Sequence, residues 1–156
     1  MIEIEVPGRG SYRLAHVVLD VNGTIVADGQ LIEGVAQRVT ELRHLVKVHM
    51  LTADTRRRQH AIDAQLGMRA ARIAPMDEAA QKASFVHELG SEGVCAVGNG
   101  ANDAGMLREA RLAIAVMGAE GLAVETLNAA DVLAPDINNA LDLLLNPLRL
   151  VATLRR

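Results

Sequence analysis

His16-Val17-Val18-Leu19-Asp20-Val21-Asn22-Gly23-Thr24 is the stretch on which the fold turns. Three apolar residues, Val17 to Leu19, run straight into a carboxylate, and an amide, a glycine and a hydroxyl follow. A short apolar run bounded by turn residues reads as a strand buried on both faces. An α/β protein presents a reactive group at the carboxyl edge of its sheet in this way, as strand, acid and tight turn. Gly23 admits the positive φ that such a turn demands and that most residues resist. The plain alternative is an acidic strand end in an unrelated sheet, and the remainder of the chain has to separate the two.

Working outward, Ile2, Ile4 and Val6 alternate with Glu3 and Glu5, the period of a half-buried strand. Pro7-Gly8-Arg9-Gly10 is a turn, and a second strand is expected over 12–19, making an antiparallel hairpin that leads into the sheet. A loop carrying the turn signal Asp28-Gly29 runs to about Glu33. Val35, Val39, Leu42 and Leu45 then share one helical face. Strands are expected over 46–51, 70–74, 93–97, 112–117 and 131–133. Helices are expected over 56–66, 77–89, through Met106 and Leu107, over 120–128, and from an Asp136 N-cap through Leu145. Gly67 stops one helix, and Pro147 kinks or restarts the last. Strand and helix alternate throughout, which predicts an α/β, doubly wound parallel sheet with an N-terminal antiparallel hairpin. Residues 1–156 read as one domain, without repeat, low-complexity segment or linker.

Composition narrows the function. Half of the residues are hydrophobic, yet Tyr12 and Phe85 are the only aromatics, so the core is aliphatic. A net charge of −3, with no basic tract beyond Arg56-Arg57-Arg58, argues against a nucleic-acid binder, which needs a basic face and stacking aromatics. The arginine run reads first as a solvated helix face. Cys95 is the single cysteine and lies in an apolar strand, so it reads as a structural thiol. Neither a leader segment nor an apolar run of ~18 residues stands out, and the expectation is a cytoplasmic protein with no membrane partner.

In a parallel sheet the strand ends share one edge. Asp20 closes the first core strand, Thr52 and Ala53 close the next, and Gly98-Asn99-Gly100-Ala101-Asn102-Asp103 follows the strand from Gly93. Lys82 lies early on a later helix. A carboxylate, a hydroxyl, an ammonium and an amide/carboxylate loop suit phosphoryl transfer, which needs a nucleophile, charge neutralisation and a cation pocket. Each residue also has a plainer reading. Thr52 could serve as a hydroxyl near a helix start, Lys82 as a solvated lysine, and Asp103 as an acid favoured by a helix dipole. Against the plain reading of Lys82, the chain has only two lysines beside fourteen arginines. A site that keeps lysine there calls for a compact point charge. The five histidines show no metal-ligand spacing and receive no role.

These segments, in this order, resemble the four signatures of the haloacid dehalogenase-like (HAD) phosphohydrolases over roughly residues 17–107. The first signature has the general form strand-Asp-x-Asp-Gly-Thr and the fourth Gly-Asp-Gly-x-Asn-Asp. The resemblance implies that Asp20 is the nucleophile that becomes an aspartyl phosphate. It implies that Thr52, Ala53, Lys82 and Asn102 bind the phosphoryl group, with Lys82 also serving catalysis. It further implies that Asp20, Asn22, Asn99 and Asp103 hold Mg²⁺. The chain departs from the pattern twice. Asn22 stands where the family has its general acid/base Asp, and Asn99 where it has a metal-binding Asp. An amide oxygen still suits a hard cation but brings no charge, and a missing general acid costs about 10²–10⁴ in rate. The combination looks closest to small soluble proteins similar to P-type ATPases. The implied partner is a small phosphorylated substrate or nucleotide. A catalytically weak phosphate-binding or regulatory protein is the alternative that Asn22 and Asn99 favour. The spans from Asp20 to Thr52 and from Thr52 to Lys82 are too short for the family's cap domain, which predicts a capless, homo-oligomeric protein. Its candidate contacts are residues 25–32 and the apolar segment 148–154, which could instead pack on its own core.

Overall fold

The computed structural model describes residues 1–53 and 57–156. Asp54, Thr55 and Arg56, the last of which opens the arginine run, lie outside the described residues. In chain order the elements are β1 (Ile2–Val6), β2 (Gly10–Leu14), β3 (His16–Asp20), β4 (Val26–Ala27), β5 (Gln30–Leu31), α1 (Val35–Arg43), β6 (Lys47–Thr52), α2 (Arg57–Leu66), β7 (Ala71–Arg72) and α3 (Glu78–Leu89). They continue with β8 (Val94–Gly98), α4 (Ala104–Glu109), β9 (Leu112–Val116), α5 (Val124–Leu127), β10 (Val132–Ala134), α6 (Ile137–Leu145) and α7 (Leu148–Leu154).

Six strands form one parallel sheet in the order β10-β9-β8-β3-β6-β7. From β3 the chain winds outward through β6 and β7, then returns to β8 and winds the other way. The topological switch therefore lies beside β3, and the crevice at its carboxyl end is where α/β sheets bind ligands. Alternation along β3 feeds both faces: Val17 and Leu19 join the core under α1, α2 and α6, while Val18 joins the core under α3 and α4. Val35, Val39 and Leu42 are buried as their helical spacing requires. Leu45 falls beyond the end of α1 and is 43% exposed.

Three expectations change in detail. The strand expected over 12–19 is two strands in two sheets. β2 pairs with β1 in a separate antiparallel hairpin, and β3 enters the parallel sheet. The chain changes partners at Ala15, whose N–H donates to Gly93 O at 2.8 Å and whose carbonyl accepts from Lys47 N at 2.9 Å. The loop after Asp20 contains a small hairpin, β4 with β5, turned by Asp28-Gly29, both at positive φ. The helix expected over 120–128 shrinks to α5, and residues 118–121 form a turn closed by reciprocal Gly118–Gly121 backbone hydrogen bonds. Asp136 caps α6 by accepting from Asn139 N at 2.8 Å. The chain restarts at Pro147 as α7, which packs on its own core through the buried Leu150 and Leu154.

Candidate active site

β3 delivers Asp20 to the carboxyl edge of the sheet, where it is 5% exposed. The chain then folds tightly back. Ile25 N and Val26 N both donate to Val21 O at 3.0 Å, and Gly23, at φ +81°, donates to Val26 O at 2.9 Å. This turn aims the buried Thr24 hydroxyl at Asp20 Oδ2 (3.0 Å) and at Asn99 Oδ1 (3.1 Å).

Lys82 reaches the same place from α3. Its helix starts after two non-glycine residues at positive φ, Met76 and Asp77. The Gln81 side chain secures that entry by accepting from Ala74 N and donating to Ala74 O and Met76 O. Lys82 Nζ then donates to Asp20 Oδ1 and to Asp103 Oδ1, each at 2.7 Å, with only 1% of the residue exposed. Such burial rules out the solvated-lysine reading.

Asp103 is wholly buried, and its Oδ2 accepts from Asn99 N (3.0 Å) and Gly100 N (2.9 Å). Gly98 makes this closeness possible, because a Cβ there would lie 2.6 Å from Asp103 Cγ. Burial and the Asp103 charge push the Asp20 carboxyl up to about 7, against the pull of Lys82 and the Thr24 hydroxyl. Burial opposes the Lys82 ammonium, but the two carboxylates outweigh it and hold Lys82 above its ordinary value.

A second pair flanks this triad. Asn22 Nδ2 donates to the buried Thr52 Oγ1 at 3.1 Å, joining the first and second expected segments through an amide and a hydroxyl. Ala53 follows at the half-buried end of the strand. Asn102 lies on the rim and donates to Glu78 Oε2 at 2.7 Å. Asn99 is 5% exposed; its Nδ2 donates to Gly121 O at 3.3 Å. Asn22, Asn99 and Asn102 line a cavity of about 510 Å³ together with Gly100, Glu120 and the chain from Gly121 to Ala123. Every residue expected from the sequence therefore gathers at this edge.

The donor set suits a hard divalent cation. Thr24 has one hydroxyl hydrogen for two acceptor oxygens, Asp20 Oδ2 and Asn99 Oδ1, so these oxygens converge with one donor between them. Carboxylate and amide oxygens without thiolate or imidazole match the chemistry of Mg²⁺. The charge is low, however. Among the described residues no three His, Cys, Asp or Glu side chains form a metal-holding group, and positions 22 and 99 are amides.

The sequence carries no sign of a role for Thr24, although it stands in the opening stretch, and its pattern places Glu120 on a helix. Gly118 and Gly121 on either side of Glu120 were the available signal for a turn. The structure also pairs two histidines that looked scattered. Parallel pairing of β3 with β6 puts His16 Nδ1 3.0 Å from His49 Nε2, toward the opposite end of the sheet. Burial holds both rings below their ordinary values, and the Lys47 charge adds to the effect.

No protein-family profile matches the chain. The uncharacterized protein MJ0073 of Methanocaldococcus jannaschii is 45% identical over 78 residues, which covers 47% of this chain and 84% of that protein. A cadmium-, zinc- and cobalt-transporting ATPase of Bacillus subtilis is 33% identical over 121 residues, 73% of this chain but 17% of the transporter. No helix among the described residues is long and apolar enough to cross a membrane. Among solved structures, the cobalt-bound deoxy-D-mannose-octulosonate 8-phosphate phosphatase of Haemophilus influenzae superposes with a TM-score of 0.71 at 16% identity, covering 86% of this chain and 88% of that one. The 3-deoxy-D-manno-octulosonate 8-phosphate phosphatase of Moraxella catarrhalis, in complex with magnesium, phosphate and a KDO molecule, gives 0.66 at 18% identity, covering 91% and 94%.

Proposed function

We propose that the chain is a haloacid dehalogenase-like protein, sharing the fold of the phosphatases it superposes on, and a Mg²⁺-dependent phosphohydrolase working through an aspartyl phosphate on Asp20. The observation that carries the reading is the Lys82 ammonium, buried and 2.7 Å from each of two carboxylates at the switch point of the sheet. A buried cation held between two acids at a ligand-binding edge is a costly arrangement for stability alone, and it fits a site that handles phosphate charge.

Asp20 attacks phosphorus, the bond to the leaving oxygen breaks, and the phosphoryl group rests on the carboxylate until water releases it as inorganic phosphate. Lys82 orients the Asp20 carboxylate through Oδ1 and offsets the charge of the incoming phosphoryl group. Thr24 steadies Oδ2. Thr52, Ala53 and Asn102 bind the phosphoryl oxygens. Asp20, Asn22, Asn99 and Asp103 would hold Mg²⁺, which when bound neutralises phosphate charge. Asn22 can donate a hydrogen bond but cannot give up a proton to a leaving group. The substrates that fit are therefore acyl phosphates and anhydrides, whose leaving groups depart as stable anions.

One observation favours a second reading, a phosphate-binding or regulatory protein with little turnover. Asn22 is engaged with Thr52, and neither Asn22 nor Asn99 brings charge. Incubation with labelled acetyl phosphate and Mg²⁺ separates the two. Label that resists acid, yields to hydroxylamine and is absent from Asp20→Asn supports the enzyme. Unlabelled wild-type protein that still binds inorganic phosphate supports the regulatory reading.

A further inference from the structure

We infer that Glu120 supplies the carboxylate that the cation pocket lacks at Asn99. The inference rests on the cation reading of this site. The turn at 118–121 is fastened to the loop after β8, since Ala123 N donates to Asn99 O at 3.0 Å and Asn99 Nδ2 donates to Gly121 O at 3.3 Å. It is also pressed against the turn after Asp20: a Cβ on Gly118 would lie 2.7 Å from Gly23 O.

Gly23 locates the Glu120 carboxylate. A Cβ there would lie 2.8 Å from Glu120 Oε2 and 3.2 Å from both Asn99 Oδ1 and Asn99 Nδ2. The carboxylate and the amide thus face one small space above a glycine, and Asn99 Oδ1 also meets the Thr24 hydroxyl that touches Asp20. Glu120 has no hydrogen-bond or ion-pair partner among the described residues, and it lines the cavity shared by Asn22, Asn99 and Asn102.

Charge counting gives this placement its meaning. With Lys82 between them, Asp20 and Asp103 leave the inner site with a formal charge of −1, and the amides at 22 and 99 add nothing. Glu120 doubles that negative charge from the open side of the pocket. It arrives on a turn bonded to the residue whose charge is missing. Because the group is exposed, its contribution to cation binding is screened by salt.

Calorimetric titration of metal-free protein with Mg²⁺ alone tests this, with thermal melts confirming that each variant is folded. Glu120→Gln, an exposed substitution, is expected to weaken Mg²⁺ binding about tenfold, the order of effect of one carboxylate on a divalent ion in a water-facing setting. Asn99→Asp in the Glu120→Gln background is expected to recover most of that loss, and added KCl to narrow the gap between wild type and Glu120→Gln. Equal affinities of wild type and Glu120→Gln would overturn the role of Glu120 and leave the cation reading intact. Absence of Mg²⁺ binding by wild type and by Asn99→Asp alike would overturn both.

Discussion

Replacing Lys82 with methionine removes one charge at nearly constant volume from a buried ionic group. Wild type places Nζ 2.7 Å from Asp20 Oδ1 and from Asp103 Oδ1, and the residue is 1% exposed. Taking one partner out of a buried ion pair typically costs about 3–5 kcal/mol, because the remaining charge is left uncompensated. Two carboxylates would remain here, so the upper part of that range is expected in metal-free buffer at pH 8. With a urea m-value of about 2 kcal/mol/M for a chain of this size, the midpoint should fall by ~2 M.

The pH dependence distinguishes an electrostatic cost from a packing cost. The Asp20 carboxyl is raised from 3.8 to about 7 in the folded protein. A group raised on folding contributes stability that is fully present below its unfolded value and is lost as pH rises through the folded value. Below about pH 4 the Asp20 proton therefore favours the folded state, and by pH 8 that contribution is gone. Without Lys82 to pull it down, Asp20 moves higher still, so the variant tolerates acid better than neutral pH. The loss caused by Lys82→Met should be smaller at pH 5 than at pH 8, by up to about 1.4 kcal/mol, because only one unit separates the wild-type value of about 7 from pH 8. Urea unfolding followed by circular dichroism at both pH values, in EDTA, provides the comparison. A loss under 1 kcal/mol at pH 8, or one that is equal or larger at pH 5, would refute the account.

Two further outcomes are expected. Thr24→Val keeps the shape of a fully buried side chain but strips Asp20 Oδ2 and Asn99 Oδ1 of their shared donor. It should cost about 1–3 kcal/mol, measured by urea unfolding, with Thr24→Ser close to wild type. Asn22→Asp restores a proton donor at the mouth of the site and should raise hydrolysis of aryl and alkyl phosphates by about 10²-fold or more. Unchanged ester hydrolysis with Mg²⁺ binding intact would mean that proton donation does not limit turnover.

How much of this was legible in the sequence depends on how local each cause is. Strand ends at Asp20 and Thr52 could be read because buried parallel strands are continuous apolar runs, and the first polar residue marks the edge. Lys82 stood out against fourteen arginines, and Asp103 followed a glycine-rich turn. The break at Ala15 could not be read. Leu14 and His16 continue the pattern on either side of it, and only the positions of Gly93 and Lys47 decide where the partners change. Strands of two residues such as β4 and β5 are too short to show a period. The His16–His49 contact depends on the register of two strands that are separated in sequence by α1.

The charge of the site shows the same limit in its sharpest form. Read along the chain, Asn22 and Asn99 are two losses, because a motif records which acid is missing and not what approaches from elsewhere. Read in space, the turn at 118–121 folds onto Gly23 and Asn99 and carries an acid that has no other partner among the described residues. A helix expected over 120–128 would have aimed Glu120 along a different axis. The glycines at 118 and 121, which break that helix, bring the carboxylate over Gly23, where a side chain would have blocked it. Loss of charge at one position and gain at another are thus linked by backbone geometry. The double substitution Asn99→Asp with Glu120→Gln exposes that link, because it exchanges the two positions while leaving the net charge unchanged.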